Sequence, residues 1–292
     1  MSHLYGGGGG AFLAKIAATA IASGDGWSVS AVVCSAGPRD RPFEEQHAGV
    51  SIAIVIAGSF QYRASGAGPG RELMTPGSLL LGSPGQCFEC GHEHAHGDRC
   101  LAFKYAPQYF DAVTEGVVAD RRIRFGSLRL PPVRDLSPVV ARACADAQTS
   151  SPADAMAWEA LAVNLAVRTV QADAGRTPSR SPAAASALAR VTDTVRFIEQ
   201  HADEALTLER LAAESGLSPF HFLRTFEDLT GATPHQYLMR LRLRRAASRL
   251  ATDSAKVLDI ALDSGFGDIS NFNRAFRAEF GMSPRAYRNA GR

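Results

Sequence analysis

Six side chains able to bind a transition metal lie within fourteen residues of this sequence: Cys87, Cys90, His92, His94, His96 and Cys100. Thiolate and imidazole are ligands that zinc prefers, and Cys-x2-Cys beside histidine suits a tetrahedral site. If residues 92–96 are extended, the two-residue period of a strand places all three imidazoles on one face. The segment predicts a site for zinc or another transition metal, or thiol redox chemistry. The structural alternative is a solvated histidine-rich turn between strands.

A second chemical pattern occurs twice, about fifty residues apart. Residues 222–226 and 272–276 both read Phe-x-Arg-x-Phe, and each copy precedes a glycine, two residues and a proline. Each also follows a short apolar helix and a turn glycine, so residues 207–231 and 257–281 are two helix-turn-helix patterns. Two such units joined by one long helix can place their second helices in successive major grooves, about 34 Å apart. This arrangement predicts binding to double-stranded DNA.

Helical spacing divides the side chains of these units into an inner and an outer set. The inner set forms the predicted core: Leu208, Leu211, Phe222, Phe226, Leu229, Ile260, Ala261, Phe266, Phe272, Phe276 and Phe280. The outer set lies near the start of each second helix: Phe220, His221, Leu223, Arg224, Ser270, Asn271, Asn273 and Arg274. Arginine suits bidentate contact with guanine and asparagine with adenine. The second helix has the richer hydrogen-bonding set, so we expect it to carry at least as much specificity as the first.

Charge is informative locally rather than globally. The net charge is only +2, but residues 230–252 contain no acid and five arginines: Arg240, Arg242, Arg244, Arg245 and Arg249. A basic stripe of this kind is typical of phosphate contact. We therefore assign Arg240 and Arg242 to the DNA backbone, the alternative for any one arginine being a solvated charge or an internal salt bridge.

The N-terminal half has the pattern of a β domain. Apolar or aromatic runs at residues 27–35, 50–64, 78–82, 86–90 and 100–105 are separated by Gly, Pro and Ser clusters, which predicts a barrel or sandwich. Helical patterns follow at residues 135–149 and 152–172. These two helices either pack on the barrel or form a dimer interface.

The sequence as a whole predicts an α+β protein of two domains. We expect a flexible segment at 1–26, a sensing and dimerisation domain at 27–174, a Pro- and Ser-rich linker at 175–186 and a seven-helix domain at 187–292. The apolar stretch 11–23 lacks a preceding basic region and is interpreted as a short helix rather than a signal peptide. No apolar run is long enough to span a membrane. Five cysteines without a regular framework favour reduced thiols and a cytoplasmic protein.

The region from residue 187 to 288 resembles the C-terminal domain of AraC/XylS-type transcription regulators. The residues that match its signature are Gly265, Phe266, Phe272, Arg274, Phe276, Gly281, Pro284 and Tyr287. The resemblance implies seven helices, with two DNA-reading helices that start near Ser218 and Asp268. It places Phe220, Leu223 and Arg224 of the first reader, and Ile269, Ser270, Asn271 and Arg274 of the second, toward the groove. Leu223 and Ile269 replace polar residues common there, which favours contact with a thymine methyl over hydrogen bonding.

The β-rich half resembles the cupin-like sensor domain that often precedes such DNA-binding domains, on residues 55–63 and 73–94. The resemblance implies effector sensing and a homodimer. We expect a transcription regulator that responds to a small molecule, metal ion or oxidant and acts on the transcription machinery. One alternative is a metal-dependent cupin enzyme fused to a DNA-binding module, which the absence of the usual downstream glutamate disfavours. Another is a cysteine-based alkylation or redox sensor at Cys87 or Cys90. We predict no catalytic residues.

Overall fold

Ten strands form the N-terminal part of the computed structural model, which describes residues 15–65, 71–117, 125–148, 154–174 and 184–290. The strands are β1 Ile16–Gly24, β2 Trp27–Cys34, β3 Phe43–Gln46, β4 Val50–Gly58, β5 Phe60–Ala64, β6 Glu72–Met74, β7 Leu79–Gly82, β8 Cys87–Gly91, β9 Asp98–Tyr105 and β10 Arg129–Leu130. All their pairings are antiparallel. The five runs predicted from the sequence are confirmed as strands, the second of them divided into β4 and β5.

The strands form two sheets. One has six strands in the order β1-β2-β9-β4-β7-β10, and the other has four in the order β3-β8-β5-β6. Alternate residues of β4 and β9 serve the two faces of the larger sheet. Ile52, Ile54 and Leu101 face a core with the helices that follow, whereas Val55 and Cys100 face the smaller sheet. Within the described residues these are separate sheets rather than one closed barrel, so the expected two-domain α+β architecture is confirmed without barrel closure.

The N-terminal segment differs from the sequence expectation. Residues 16–24, which we interpreted as part of a flexible segment with a short helix, form β1 and pair with β2 from Ile16–Cys34 to Gly24–Trp27. Most β1 side chains are exposed. The strand therefore depends on its backbone hydrogen bonds to β2 rather than on hydrophobic burial, and small residues such as Ala17 and Ala18 give little apolar periodicity to detect. Residues 11–14 lie outside the described part of the chain.

Among the described residues, three α-helices and a short 3-10 helix at Arg134–Leu136 complete this domain; the α-helices are α1 Pro107–Val113, α2 Ser137–Asp146 and α3 Ala155–Ala174. Trp158, Leu161 and Leu165 of α3 and Val140 of α2 pack on the outer face of the larger sheet. The two helices predicted after the β region are confirmed, and α1 was not predicted. The predicted linker lies largely in residues 175–183, outside the described residues.

The described residues from 184 onward contain seven helices, as expected. They are α4 Ala185–Gln200, α5 Leu208–Ser215, α6 Pro219–Thr230, α7 Pro234–Thr252, α8 Val257–Asp263, α9 Ile269–Phe280 and α10 Pro284–Ala290. The N-terminal half of α7 packs with α4–α6 and its C-terminal half with α8–α9, which gives two small cores. No helix among the described residues is long and apolar enough to cross a membrane.

Candidate functional site

The first reader, α6, begins where its sequence signals predict. The Ser218 side chain accepts a hydrogen bond from the His221 N–H, and Pro219 occupies the first helical turn. Phe220, His221 and Arg224 are exposed on this helix, and 71% of Phe220 is accessible. Leu223 is half-buried. The Phe220 ring lies 6.1 Å from the His221 ring and is otherwise largely open to solvent, which is the property expected of a contact surface.

The second reader, α9, is built in the same way. The Asp268 carboxylate caps it by accepting a hydrogen bond from the Asn271 N–H at 2.7 Å. Ser270, Asn271, Asn273 and Arg274 are exposed, and Ile269 is half-buried. The Arg274 guanidinium donates to the Asn271 side-chain oxygen at 3.1 Å. This contact orients the two side chains relative to each other on the exposed face of α9.

Equivalent packing supports the two readers from within. Phe226 and Tyr237 make an edge-on ring contact at 5.6 Å, and Phe276 and Tyr287 make the matching contact at 5.5 Å. Both reader helices end at a left-handed glycine, Gly231 with φ 74° or Gly281 with φ 75°, a conformation that favours glycine over other residues. All predicted core residues are buried except Leu208 and Leu229, which are partly buried. The duplication seen in the sequence is therefore a duplication of structure.

The arginine stripe on α7 has partners that the sequence did not predict. Arg240 donates to the Pro132 carbonyl at 2.6 Å and lies 3.6 Å from the Glu279 carboxylate. Arg242 donates to the carbonyls of Ala202 and Glu204, both at 2.6 Å. Two of the other arginines likewise donate to backbone carbonyls, of Pro76 and Glu199, and the last pairs with Asp253 and Asp263. In this arrangement the stripe joins helices and domains.

One segment of the N-terminal domain, residues 129–137, touches the C-terminal ends of both readers. We call it the clamp. At one end Arg129 donates to the Thr230 carbonyl at 3.0 Å, at the last residue of α6. At the other end Arg134 donates to the Ala278 carbonyl of α9 and Ser137 to the Glu279 carboxylate. The clamp therefore fixes the position of each reader relative to the other and to the sheets.

The predicted Cys/His cluster is only partly assembled. Residues 92–97 form a loop with a turn rather than an extended strand, so the expectation that three imidazoles share one face is wrong. His92 is buried, His94 is half-buried and His96 is exposed. Cys90 and Cys100 are buried between the sheets, whereas Cys87 lies near the surface.

His92 instead meets two residues that the sequence interpretation did not include. Cys34, His92 and Asp98 each offer a ligand atom within 4.8 Å of the others, and all three are buried. The His92 Nε2 lies 2.7 Å from Asp98 Oδ1, and the Cys100 thiol donates to Asp98 Oδ2 at 3.3 Å. Burial alone would lower the His92 pKa, but hydrogen bonds to Asp98 and Cys34 raise it to about 9. Burial next to the Asp98 carboxylate raises the pKa of the Cys100 thiol.

No short sequence motif contained this group. Cys34 and Asp98 are far apart in the chain, and they become neighbours because β2 and β9 pair in that register. The signal present in the sequence was two apolar strands, one that ends with the thiol of Cys34 and one that begins with the carboxylate of Asp98.

One comparison with known proteins gives a match inside the helical domain. A helix-turn-helix domain family model matches residues 211–290. The right origin-binding protein of Escherichia coli strain K12 is 35% identical over 100 residues, which cover 34% of this chain and 35% of that protein. The chain thus matches about a third of this relative's length. A crystal structure of the DNA-binding domain of AdpA with a target DNA is 34% identical and covers 35% of this chain and 91% of that one, with a TM-score of 0.34.

The regulatory protein SoxS of Escherichia coli strain K12 is a relative matched over most of its own length. It is 33% identical over 99 residues, which are 34% of this chain and 92% of SoxS. The residues that the family model matches, 211–290, contain both readers. The chain therefore belongs, through its C-terminal domain, to the AraC/XylS-type family of transcription regulators.

Proposed function

We propose that the protein is a sequence-specific DNA-binding transcription regulator whose N-terminal domain responds to an effector. The observation that carries the proposal is the exposed polar and aromatic set at the start of α6 and α9, on two helix pairs of equal construction. Side chains at the start of a second helix reach base edges when that helix lies in a major groove. Two such helices in one chain would read two groove segments.

The side chains divide by their chemistry. Arg224 and Arg274 suit guanine, Asn271 and Asn273 suit adenine, and Ser270 suits a phosphate or a base edge. The apolar reader residues Phe220, Leu223 and Ile269 would contact thymine methyl groups. The imidazole of His221 would donate a hydrogen bond. Because α9 has four exposed polar side chains near its start, we expect it to carry more of the specificity than α6.

Phosphate contacts by Arg240 and Arg242 belong to a different state of the molecule. In this structure, both guanidinium groups donate hydrogen bonds to backbone carbonyls. They would reach phosphates only after exchanging those partners. Contact of Arg240 with the DNA backbone would therefore require loss of its hydrogen bond to the Pro132 carbonyl of the clamp.

The N-terminal domain supports the sensing half of the proposal. It has a hydrophobic interior between two sheets, and its clamp bonds directly to both readers. We propose a small molecule, metal ion or oxidant as effector, action on the transcription machinery, and a cytoplasmic location, where the chromosome is accessible. We also propose a homodimer through α3, on which Met156 is 77% exposed beside Val163 and Val167.

A binding assay tests the DNA-binding half. The full-length protein should shift its own upstream DNA more strongly than scrambled DNA, with an affinity that falls as salt rises. Arg274→Ala should weaken binding to the preferred site by about 1–3 kcal/mol, or about 5- to 150-fold, and much less on scrambled DNA. Arg277→Ala is the matched control, because Arg277 is exposed one turn closer to the end of the same helix. Equal losses for the two variants, or equal losses on both DNAs, would contradict base reading by Arg274.

A further inference from the structure

Four buried side chains between the two sheets have no part in DNA contact. Three of them, Cys34, His92 and Asp98, have ligand atoms within 4.8 Å of one another, and the fourth, Cys100, donates to Asp98; we call the four the buried S2NO cluster after their ligand atoms. We propose that this cluster binds one zinc-type transition-metal ion, and that the loop carrying His92 transmits its occupancy to the DNA-binding domain. The second half of this inference rests on the proposed function.

The sheet register positions three of the four ligands. Cys34, the last residue of β2, pairs directly with Asp98, the first residue of β9. Paired residues in a ladder project to the same face, and so do residues two apart on one strand. Asp98 and Cys100 therefore share the face that Cys34 occupies, toward the smaller sheet. His92 comes from the loop after β8 and completes the group from the opposite side.

The separations among Cys34, His92 and Asp98 fit one small site after a modest contraction, and Cys100, which contacts the other carboxylate oxygen of Asp98, would have to move toward the ion as the fourth ligand. Zinc bonds to nitrogen, oxygen and sulfur of about 2.0–2.3 Å place neighbouring ligand atoms about 3.3–3.8 Å apart. Cys34, His92 and Asp98 are within 4.8 Å, and the contact from Cys100 to Asp98 is 3.3 Å. Two sulfurs, one nitrogen and one oxygen select a borderline transition metal over Mg²⁺ or Ca²⁺, which prefer oxygen. Binding would release the protons of the thiols and the imidazole to solvent.

A plain ion pair explains less of the arrangement. His92 and Asp98 alone would satisfy each other at 2.7 Å. That pair gives no reason for two thiols, which are weak hydrogen-bond donors, to lie against it, one from Cys100 on the Asp98 carboxylate and one from Cys34 on the His92 imidazole. Buried charges are costly unless they are paired or bind a metal, and a divalent ion would compensate two of the three negative charges of the carboxylate and the two ionised thiols.

The loop that carries the cluster is bonded to the DNA-binding domain. Arg196 of α4 donates to the His94 carbonyl, two residues after His92. One helical turn later, the Glu199 carboxylate accepts from the backbone N–H of Gly58, which pairs with Asp98 on the other side of β9. Helix α4 thus contacts the loop that carries His92 and the β4 residue that pairs with Asp98.

Tight packing makes this loop a sensitive connection. A Cβ at Gly58 would lie 2.3 Å from the Gly97 carbonyl oxygen, and one at Gly97 would lie 2.8 Å from the Cys34 carbonyl oxygen. Contraction of the ligands around an ion would therefore move the 92–98 loop as a unit. The contact between Arg196 and the His94 carbonyl would move with it.

Metal binding is tested first, on the full-length protein stripped with a chelator and titrated with ZnCl₂ or CoCl₂. We expect one ion per chain and a thiolate-to-cobalt charge-transfer band. Cys34→Ser, His92→Gln and Asp98→Asn should each lose more than the roughly tenfold affinity typical of an outer-shell change. Cys87→Ser and His96→Gln are matched controls outside the cluster and should bind as the wild type does. Thermal unfolding identifies any variant that fails to fold.

Three results would overturn the metal site. The first is no stoichiometric uptake by reduced, folded protein. The second is full uptake by Cys34→Ser together with His92→Gln, since the ion would then lie elsewhere. The third is an air-formed disulfide between Cys34 and Cys100 that reversibly changes DNA binding without metal, which would make the group a redox sensor.

Coupling is tested by measuring the dissociation constant for the upstream DNA with zinc and with chelator. The wild type should show at least a threefold difference, His92→Gln none, and Arg196→Gln a smaller one with metal affinity intact. Equal DNA affinity in both conditions, for protein that binds one ion, would overturn the coupling. Stoichiometric zinc binding without sequence-selective DNA binding would instead overturn the proposed function and leave the metal site standing.

Discussion

Replacement of Arg129 by methionine should weaken the contact between the sheet domain and the helical domain without unfolding either. Arg129 is nearly buried in β10 and donates to the Thr230 carbonyl at 3.0 Å. It also pairs with the Glu72 carboxylate at 3.0 Å. Methionine keeps the length and the apolar stem but offers no donor, so both contacts are lost while packing is largely retained.

The magnitude follows from these two contacts. A hydrogen bond from a charged donor contributes about 1.5–3 kcal/mol, and the acceptor left behind at the end of α6 loses its partner. The Glu72 side chain is 29% exposed, so water recovers part of that ion pair and we add at most about 1 kcal/mol for it. The expected loss is about 2–4 kcal/mol of docking free energy, or about 30- to 700-fold in the docking equilibrium.

Native-state hydrogen exchange measures this loss directly. Amides of the clamp and of residues 230–232 should exchange faster by up to that factor, whereas amides in the centre of β9 should not change. Arg63→Met is the matched control, because Arg63 makes an ion pair with Glu89 inside the sheet domain. Unchanged exchange at residues 230–232 in Arg129→Met, or an equal increase in Arg63→Met, would refute the role of the clamp.

The other predictions concern the readers and the sheet domain. Phe276→Ala should destabilise the helical domain by about 3–5 kcal/mol in denaturant unfolding, because a fully buried ring is deleted; a loss below 1 kcal/mol would mean that this core is not tightly packed. Asp268→Ala should cost about 1 kcal/mol through loss of the cap on the Asn271 N–H, while Asp268→Asn should retain most of the stability. Burial lowers the His47 pKa to about 4 from 6.5, so His47 stabilises the fold above pH 6.5, and that stability is lost as pH falls from 6.5 to 4. The loss should reach about 3 kcal/mol in wild type and disappear in His47→Gln; parallel pH profiles would contradict it.

Local signals account for what the sequence predicted well. Ser218-Pro219 and Thr233-Pro234 are start signals whose effect is confined to one helical turn, so the starts of α6 and α7 could be predicted. The alternation of Phe222 and Phe226 with exposed neighbours likewise depends only on helical period. The sorting of buried and exposed residues in the readers needed no tertiary information.

Pairing and partner choice account for what the sequence did not reveal. The α7 arginines have a composition typical of phosphate contact, but the partners of Arg240 and Arg244 are carbonyls 108 and 168 positions away. The companions of His92 are set by the β2–β9 register rather than by spacing along the chain. Strand β1 depends on hydrogen bonds to β2 and has little apolar periodicity. Each of these features is a long-range contact, and composition does not encode which long-range contact forms.

The long helix α7 links two readers that are alike in construction and different in surface. A symmetric dimer presents the same helix twice and suits a palindrome. Here Phe220 and Arg224 precede Asn271 and Arg274 along one covalent chain, so a DNA site matched to them would have a polarity. Reversing such a site would place the sheet domain on the opposite side of it. The orientation of the DNA site in a promoter would then determine the orientation of the bound protein.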